Sequence, residues 1–231
     1  MGGVAGSRSP AAGRGYLGML DPGDRERLLA LGRPVRYRRG AWLILQGDLR
    51  DDVVVVVAGR VKVTLDTAEG QEVVLAVDGP GDLIGTFEAL DPEIRARAAS
   101  AVALEPVACR VLTGDQFRDY LVVHPVAAVV LVRWVISRLY AADRRRIDGT
   151  TVDTPHRLAR YLLDLAGLDG DDHRGVDIDI PLPQGELASL IGVSRNSIVR
   201  ALSALRSRQL IRTRRHTITI TDLDALRRYA D

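Results

Sequence analysis

Residues suited to reading nucleic-acid bases cluster near the C-terminus of the 231-residue chain. The Arg195 guanidinium can donate two hydrogen bonds to O6 and N7 of guanine, and the Asn196 amide matches N6 and N7 of adenine. Arg200 can reach a base or a phosphate from the same predicted helix. These residue types predict base reading in the major groove of DNA. The residues that would complete this surface, through phosphates or thymine methyl groups, are Ser194, Ser197, Val199 and Ser203.

A helix-turn-helix motif is predicted to hold this surface, because two apolar helical patterns flank Gly192. Glycine permits the left-handed backbone of a tight turn, and Ser194 is a suitable N-cap for the second helix. A generic three-helix domain would share the apolar pattern, but the basic outer face favours DNA binding. The predicted buried positions are Leu187, Ala188 and Ile191 in the first helix and Ile198, Leu202 and Leu205 in the second.

A basic β-hairpin is predicted directly after this motif. Residues 212–216 have the sequence RTRRH, and residues 217–220 alternate threonine with isoleucine, which is typical of a strand with one buried face. Such a wing would lie beside the DNA backbone and contribute attraction that does not depend on sequence. The arginines assigned to this role are Arg212, Arg214 and Arg215.

Composition and charge narrow the function classes. The chain is 46% hydrophobic and 27% charged, which indicates a globular rather than a disordered protein. The net charge is only +2, yet residues 206–216 hold five arginines and no acid, which is typical either of a polyanion-binding end or of an ordinary solvated surface. The single cysteine, Cys109, excludes a multi-cysteine zinc or iron–sulfur site and is expected to be a buried apolar residue. We recognise no metal-binding or catalytic motif, so an enzyme is not expected.

The sequence also carries expectations about location. No apolar stretch approaches the ~18 uninterrupted residues that a membrane span needs. Residues 1–15 are rich in glycine, alanine and serine, lack the apolar segment of a secretory signal, and are predicted to be disordered. The expected location is therefore the cytoplasm, without membrane association.

The N-terminal half predicts strands followed by one long helix. From residue 16 to 124, short runs rich in β-branched residues alternate with glycine and aspartate turns, which favours an antiparallel roll. Residues 125–148 predict a helix with apolar residues at a 3–4 spacing, which is typical of a dimer seam. An ordinary core helix is the alternative. The seam residues are Val129, Val132, Ile136 and Leu139.

The predicted fold class is α+β, with an antiparallel, jelly-roll-like β-roll at 16–124, a dimerisation helix at 125–148 and a winged helix-turn-helix domain at 155–231. Asp148 to Thr151 is expected to break the long helix, which places a hinge at 149–154. Thr154 is the predicted N-cap of the next helix. A short strand is expected within residues 178–182.

The order of these elements resembles the CRP/FNR family of bacterial transcription regulators, from Leu17 to the end of the chain. Residues 191–195 (IGVSR), followed by Val199 and Arg200, are similar to the recognition-helix pattern of that family. The resemblance implies a homodimer that reads an inverted repeat in double-stranded DNA, with RNA polymerase as a partner. It assigns base reading to Arg195 and Arg200. Where the family usually has a glutamate this chain has Asn196, so the half-site preference is expected to differ.

A second resemblance lies in the roll. Residues 80–85 (PGDLIG) and 97–101 (RAASA) are similar to the phosphate-binding cassette of cyclic-nucleotide binders. This resemblance implies a pocket for a small effector. Gly85 would belong to the cassette, and Arg97, or its rival Arg95, would hold the cyclic phosphate.

Four positions of this pocket depart from the family pattern. Thr86 stands where the family has a ribose-binding glutamate, although Glu88 lies nearby, and Ala98 replaces a hydroxyl residue. On the long helix, Ala142 and Asp143 replace the threonine and serine of cAMP-responsive members. These departures argue against ordinary cAMP. Another small effector and no effector at all both stay open.

Two other function classes are weighed against a DNA-binding regulator. A degenerate cyclic-nucleotide domain that signals through protein contacts would use the C-terminal domain only as a scaffold and would lack salt-dependent duplex binding. An enzyme controlled by such a domain is disfavoured, because roughly 80 residues after the hinge leave no room for a catalytic domain beside a winged helix.

Overall fold

The computed structural model describes residues 15–91, 93–166, 177–178, 183–214 and 217–231. Some predictions concern residues that the structure does not describe: the disordered N-terminus (1–14), most of the short strand (179–182) and Arg215 of the wing. The predicted fold class is confirmed, because an antiparallel roll, a long helix and a winged helix follow one another along the chain. Gly15, predicted to be disordered, instead begins a helix that packs on the roll: the Leu17 amide donates to the Gly81 carbonyl at 3.0 Å.

The roll consists of two antiparallel sheets with the strand orders β1-β8-β3-β6 and β2-β7-β4-β5. The strands are β1 (Arg33–Tyr37), β2 (Trp42–Ile44), β3 (Val53–Ala58), β4 (Val61–Asp66), β5 (Glu72–Asp78), β6 (Leu83–Ile84), β7 (Ser100–Ala103) and β8 (Val107–Leu112). The helices of this half are α1 (Gly15–Met19), α2 (Pro22–Leu31), α3 (Thr86–Leu90) and α4 (Gly114–Val123).

The valine run of β3 shows why the roll is stable. Side chains alternate between the two faces of a strand, and here both faces are buried. Val53 and Val55 pack against the helices, while Val54 and Val56 pack inside the roll. Cys109 of β8 lies in that inner core, as expected, and burial raises the pKa of its thiol to about 11.

The long helix, α5 (Pro125–Thr151), joins the two halves and has two different apolar faces. One face packs on the roll: Val130 and Trp134 are buried, and the Tyr16 hydroxyl donates to the Ala127 carbonyl at 3.0 Å. The other face is exposed, and we call it the α5 stripe. It comprises Val126, Val129, Val132, Ile136 and Leu139, whose exposed fractions run from 44% to 66%. By length and composition alone, α5 could also cross a membrane.

The end of α5 differs from the prediction. The helix continues through Gly149 to Thr151, so only two residues separate it from the next helix. A glycine inside a helix costs only about 1 kcal/mol, and an ion pair of 2.6 Å between Asp148 and Arg160 ties this turn to the following helix. The predicted N-cap is also wrong by one residue, because the Asp153 carboxylate, not Thr154, accepts from the His156 amide at 3.0 Å.

The C-terminal half is a winged helix-turn-helix around one core. A three-stranded antiparallel sheet with the order β10-β11-β9 closes one side of this half. Ile198, Leu202 and Leu205 are buried, as predicted, between this sheet and the surrounding helices. The elements are α6 (Thr154–Ala166), β9 (Asp177–Ile178), α7 (Gln184–Ile191), α8 (Arg195–Ser207), β10 (Ile211–Arg214), β11 (Thr217–Ile220) and α9 (Leu223–Ala230).

The winged helix packs directly on the β4–β5 hairpin of the roll. Val74 and Leu104 of the roll join the winged-helix core, and the Val74 amide donates to the Ser189 hydroxyl at 3.1 Å. Beside them Lys62 forms ion pairs with Glu72 at 2.8 Å and with Glu186 of α7 at 2.9 Å. We call Lys62, Glu72 and Glu186 the interdomain clamp.

Candidate nucleic-acid interface and effector pocket

The turn between α7 and α8 has the geometry that the sequence predicts. Gly192 has φ +70° and ψ 45°, the left-handed conformation that a side chain disfavours. The Val193 amide donates to the Ala188 carbonyl at 2.9 Å and closes the turn. Arg157 of α6 donates to the Ile191 carbonyl, so the turn is also anchored from outside the motif.

The start of α8 is capped and positively polarised. The Ser194 hydroxyl accepts a hydrogen bond from the Ser197 amide at 3.1 Å, which satisfies one of the free amides of the first turn. No acidic residue lies in that turn. The partial positive charge of the helix N-terminus is therefore left available to an anion.

Most of the predicted base-reading side chains share the outer face of α8. Arg195 and Asn196 are exposed and have no hydrogen-bond or ion-pair partner among the described residues. Within the described ranges, Arg200 donates only to the Ser197 hydroxyl, at 3.5 Å. The donors of this face are thus free for an external partner. Of the remaining predicted contacts, those exposed are Ser194, Val199 and Ser203, while Ser197 is half-buried.

The wing is built as predicted. β10 and β11 pair antiparallel, with Ile211 opposite Ile220 and Arg214 opposite Thr217. Arg212 and Arg214 are exposed, while Arg215 lies outside the described residues. The wing is tied to α8, because Arg206 donates to the Thr213 hydroxyl at 3.1 Å.

Four of the expected effector residues, Gly85 and Glu88 at α3 and Arg97 and Ala98 before β7, are already hydrogen-bonded to one another. Arg97 is 4% exposed and Glu88 is 7% exposed. The Arg97 guanidinium donates to Glu88 Oε2 at 2.9 Å, to the Gly85 carbonyl at 3.1 Å and to the Asp52 carbonyl at 2.5 Å. The second Glu88 oxygen, Oε1, accepts from the Ala98 amide at 3.1 Å.

The structure also separates Arg97 from its rival. Arg95 is exposed and makes no hydrogen bond or ion pair with the described residues, so of the two arginines only Arg97 pairs with Glu88. Thr86, at the family's glutamate position, is buried. On α5, Ala142 is half-buried and Asp143 exposed, and neither is hydrogen-bonded to Arg97 in the described part of the chain.

Gly85 is required by the same pairing. Its φ is +83°, and a Cβ atom there would lie 2.5 Å from Arg97 Nη1 and 2.7 Å from the Asp52 carbonyl oxygen. Such distances are shorter than any ordinary contact, so a larger residue would push the guanidinium out of place. Arg97 also lines a small cavity of about 30 Å³, whose other walls include Arg33, Arg50 and the carboxylates Asp48 and Asp52 but no residue of α5.

Sequence reasoning missed the charged residues that hold α5 and the winged helix in place. Arg138 of α5 pairs with Asp78 at 2.7 Å, and Asp82 lies 3.9 Å away. Burial, together with the neighbouring Asp78 charge, raises the pKa of Asp82 to about 6. Lys62 of the interdomain clamp is the single lysine of the chain. The rarity of lysine was the only feature of the sequence that distinguished Lys62, because no sequence pattern indicates a partner 124 residues away.

Comparison with known protein families gives a separate match for each half of the chain. The model of the cyclic nucleotide-binding domain matches residues 34–124, and that of the Crp-like helix-turn-helix domain matches residues 156–229. The two domains occur in the order and at the positions of the roll and the winged helix. The chain belongs to the CRP/FNR family of transcription regulators.

Relatives of this CRP/FNR regulator differ in the effector that their names give. A CRP-like cAMP-activated global transcriptional regulator of Mycobacterium tuberculosis is 29% identical over 199 residues, which is 86% of this chain and 88% of that protein. The catabolite activator protein of Thermus thermophilus is 28% identical with a TM-score of 0.51, covering 93% of this chain and 97% of that one. A c-di-GMP-responsive global regulator of Xanthomonas campestris shares the fold, with 22% identity, a TM-score of 0.69, and coverage of 87% and 100%.

A cyclic nucleotide, which the domain family implies, does not fit the pairing at Arg97. A cyclic phosphate needs the guanidinium and the adjacent amide as donors. In this structure both donate to the Glu88 carboxylate. The ribose-binding carboxylate is also missing from position 86. Among the described residues, Arg97 Nη1 and the Ala98 amide are thus already occupied by Glu88.

Proposed function

We propose that this CRP/FNR regulator is a homodimer that reads an inverted repeat through α8 of each subunit. The observation that carries the proposal is the unsatisfied basic face of α8 beside a capped helix N-terminus. Arg195 and Arg200 supply donors for guanine or phosphate, and Asn196 supplies a pair for adenine. Two copies related by a two-fold axis would place their half-sites about one helical turn apart.

The α5 stripe supports the dimer. It consists of large aliphatic side chains at coiled-coil spacing, and its members are exposed while the opposite face of α5 is buried on the roll. An exposed apolar stripe of this length is costly in water, and a second copy would cover it with an identical stripe. The homodimer therefore explains a surface that the roll leaves uncovered.

The proposal extends to partners and location. Double-stranded DNA and RNA polymerase are the expected macromolecular partners, the protein acts in the cytoplasm, and it performs no catalysis of its own. The named relatives are transcription regulators, which supports this assignment. Ordinary cAMP is not the proposed effector, because Glu88 already takes the donors of Arg97 and Ala98.

Selection of duplexes from a random pool by the purified protein tests the reading function. We expect a two-fold palindrome to emerge, with affinity that falls as salt rises. The selection is run with and without cAMP, and enrichment is expected in both. If neither condition enriches a sequence, the result would favour a degenerate cyclic-nucleotide domain that signals through protein contacts over a DNA-binding regulator.

A single substitution tests the α5 stripe. Leu139→Glu places a charge in the proposed seam, and we expect a monomer by sedimentation together with loss of palindrome binding. Leu49→Glu is the matched control, because Leu49 is an exposed leucine outside α5. A Leu139→Glu protein that stays dimeric would contradict the assigned seam.

A further inference from the structure

The buried carboxylate of Glu88 occupies the position of a bound anion. Its two oxygens accept from different donors, Arg97 Nη1 and the Ala98 amide, that belong to adjacent residues. A guanidinium beside a backbone amide is an arrangement that binds a carboxylate or phosphate through charge-assisted hydrogen bonds. The carboxylate is delivered by α3, nine residues before Arg97.

We infer that Glu88 is a built-in anion that takes the place of the effector's phosphate, so that this regulator needs no cyclic nucleotide to hold its roll together. The predicted effect on DNA binding rests on the proposed function, whereas the occupation of the anion site by Glu88 does not depend on DNA. Glu88 thus bears on the regulation of this protein rather than on a second activity.

The burial of the pair supports a specific role. Taking a carboxylate and a guanidinium out of water is unfavourable, and a well-packed apolar pair is often as stable as a buried ion pair. Both side chains are more than nine-tenths buried, and within the described part of the chain the Arg97 guanidinium donates to Glu88, Gly85 and Asp52. The pair therefore fixes α3, the Asp52 loop and the start of β7 relative to one another, as a bound anion would.

Removing the carboxylate would expose a vacant anion site. Glu88→Ala leaves the Arg97 guanidinium and the Ala98 amide without their acceptor. Loss of the Glu88 side chain also leaves space beside the guanidinium, which already borders a small cavity. The other charges in the wall of that cavity are balanced, since Arg33 and Arg50 face Asp48 and Asp52 and Arg50 is paired with Asp48. The variant should thus acquire an affinity for anions that the natural chain lacks.

Thermal unfolding with cAMP, and separately with inorganic phosphate, tests the site. We expect neither compound at millimolar concentration to change the Tm of the natural protein. Glu88→Ala should have a lower Tm, which one or both compounds raise, as binding to the folded state requires. The double variant Glu88→Ala with Arg97→Gln should show no such rise. Glu93→Ala is the control, since Glu93 is an exposed glutamate in the loop that follows α3.

Three outcomes would overturn the inference. A Tm of the natural protein that rises with cAMP would show that Glu88 does not hold the site. A folded Glu88→Ala protein indifferent to both compounds would show that the pair is only structural. If Glu88→Ala does not fold by itself, its refolding is followed with each compound added, and a failure of both compounds to restore folding would equally show a purely structural pair.

Duplex binding separates this inference from the proposed function. With the selected palindrome, the Kd of Glu88→Ala should rise by about tenfold, a usual allosteric coupling, and return toward the natural value with the anion. A variant that gains anion binding while no form of the protein binds any duplex would uphold the anion site and refute DNA reading. A variant that binds DNA as the natural protein does, with or without anion, would refute the regulatory role of Glu88.

Discussion

Arg97 in the roll and Arg195 in the reading helix carry the same guanidinium group in opposite surroundings. Arg97 is buried, and its donors meet one carboxylate and two carbonyls of its own chain. Arg195 is exposed at a helix N-terminus and meets no partner among the described residues. Both positions are assigned to anion or base recognition by the same family resemblance. The contrast indicates that one of the two binding sites is completed internally while the other still requires a partner.

The largest expected effect comes from breaking the internal site. Arg97→Ala leaves the Glu88 carboxylate buried without its counter-ion, which costs about 3–5 kcal/mol of the free energy of unfolding. Denaturant unfolding measures this loss. Arg95→Ala, two residues away and exposed, should change the stability by less than about 0.5 kcal/mol. Equal effects of the two substitutions would remove the distinction between Arg97 and its rival.

The exposed surface around Arg195 should show the opposite effects on stability and binding. Arg195→Ala should leave the stability almost unchanged but cost about 1–3 kcal/mol of duplex binding and relax the preference at one base position. Binding to the selected palindrome and to its single-base variants measures both. Arg228→Ala, an exposed arginine on α9, controls for loss of charge alone. If the two substitutions weaken binding equally and without change in sequence preference, Arg195 is not a base reader.

The interdomain clamp is intermediate between these extremes, since Lys62 is buried but its partners are partly exposed. Burial lowers the pKa of Lys62, but hydrogen bonds from Lys62 to Glu72 and Glu186 more than offset this and raise the pKa overall. Lys62→Met should cost about 1–2 kcal/mol of stability and increase hydrogen exchange in α7, which the clamp holds on the roll. A double-mutant cycle with Glu186→Gln should give a nonzero coupling. Additive effects would show that the clamp does not join the domains.

Local rules were sufficient where a residue needed only its chain neighbours. The turn glycine at 192, the cap at Ser194 and the apolar spacing of α8 were all predictable, because each depends on contacts within a few residues. The α5 stripe was predictable for the same reason. Its exposure then became visible only in the structure, which buries the opposite face of α5 on the roll.

Prediction failed where tertiary contacts outweighed local preference. Gly149 should end a helix, but the pairing of Asp148 with Arg160 continues it to Thr151. The position-by-position resemblance identified Thr86 as the site of a lost carboxylate. It did not reveal that the helical turn of α3 points Glu88 into the pocket, because that depends on the backbone at Gly85.

The smallest expected effect distinguishes phosphate contact by the wing from base reading by α8. Arg214 is exposed on β10, with no hydrogen bond or ion pair to the described residues, so it too is open to a partner. A contact to phosphate is made to every sequence alike, and each one releases counterions. Arg214→Ala should therefore weaken binding to palindromic and random duplexes by the same factor and reduce the magnitude of the salt slope by about 1. Titrations of both duplexes at several salt concentrations measure this. Loss of discrimination between them would instead make Arg214 a base reader and erase the proposed division between the wing and α8.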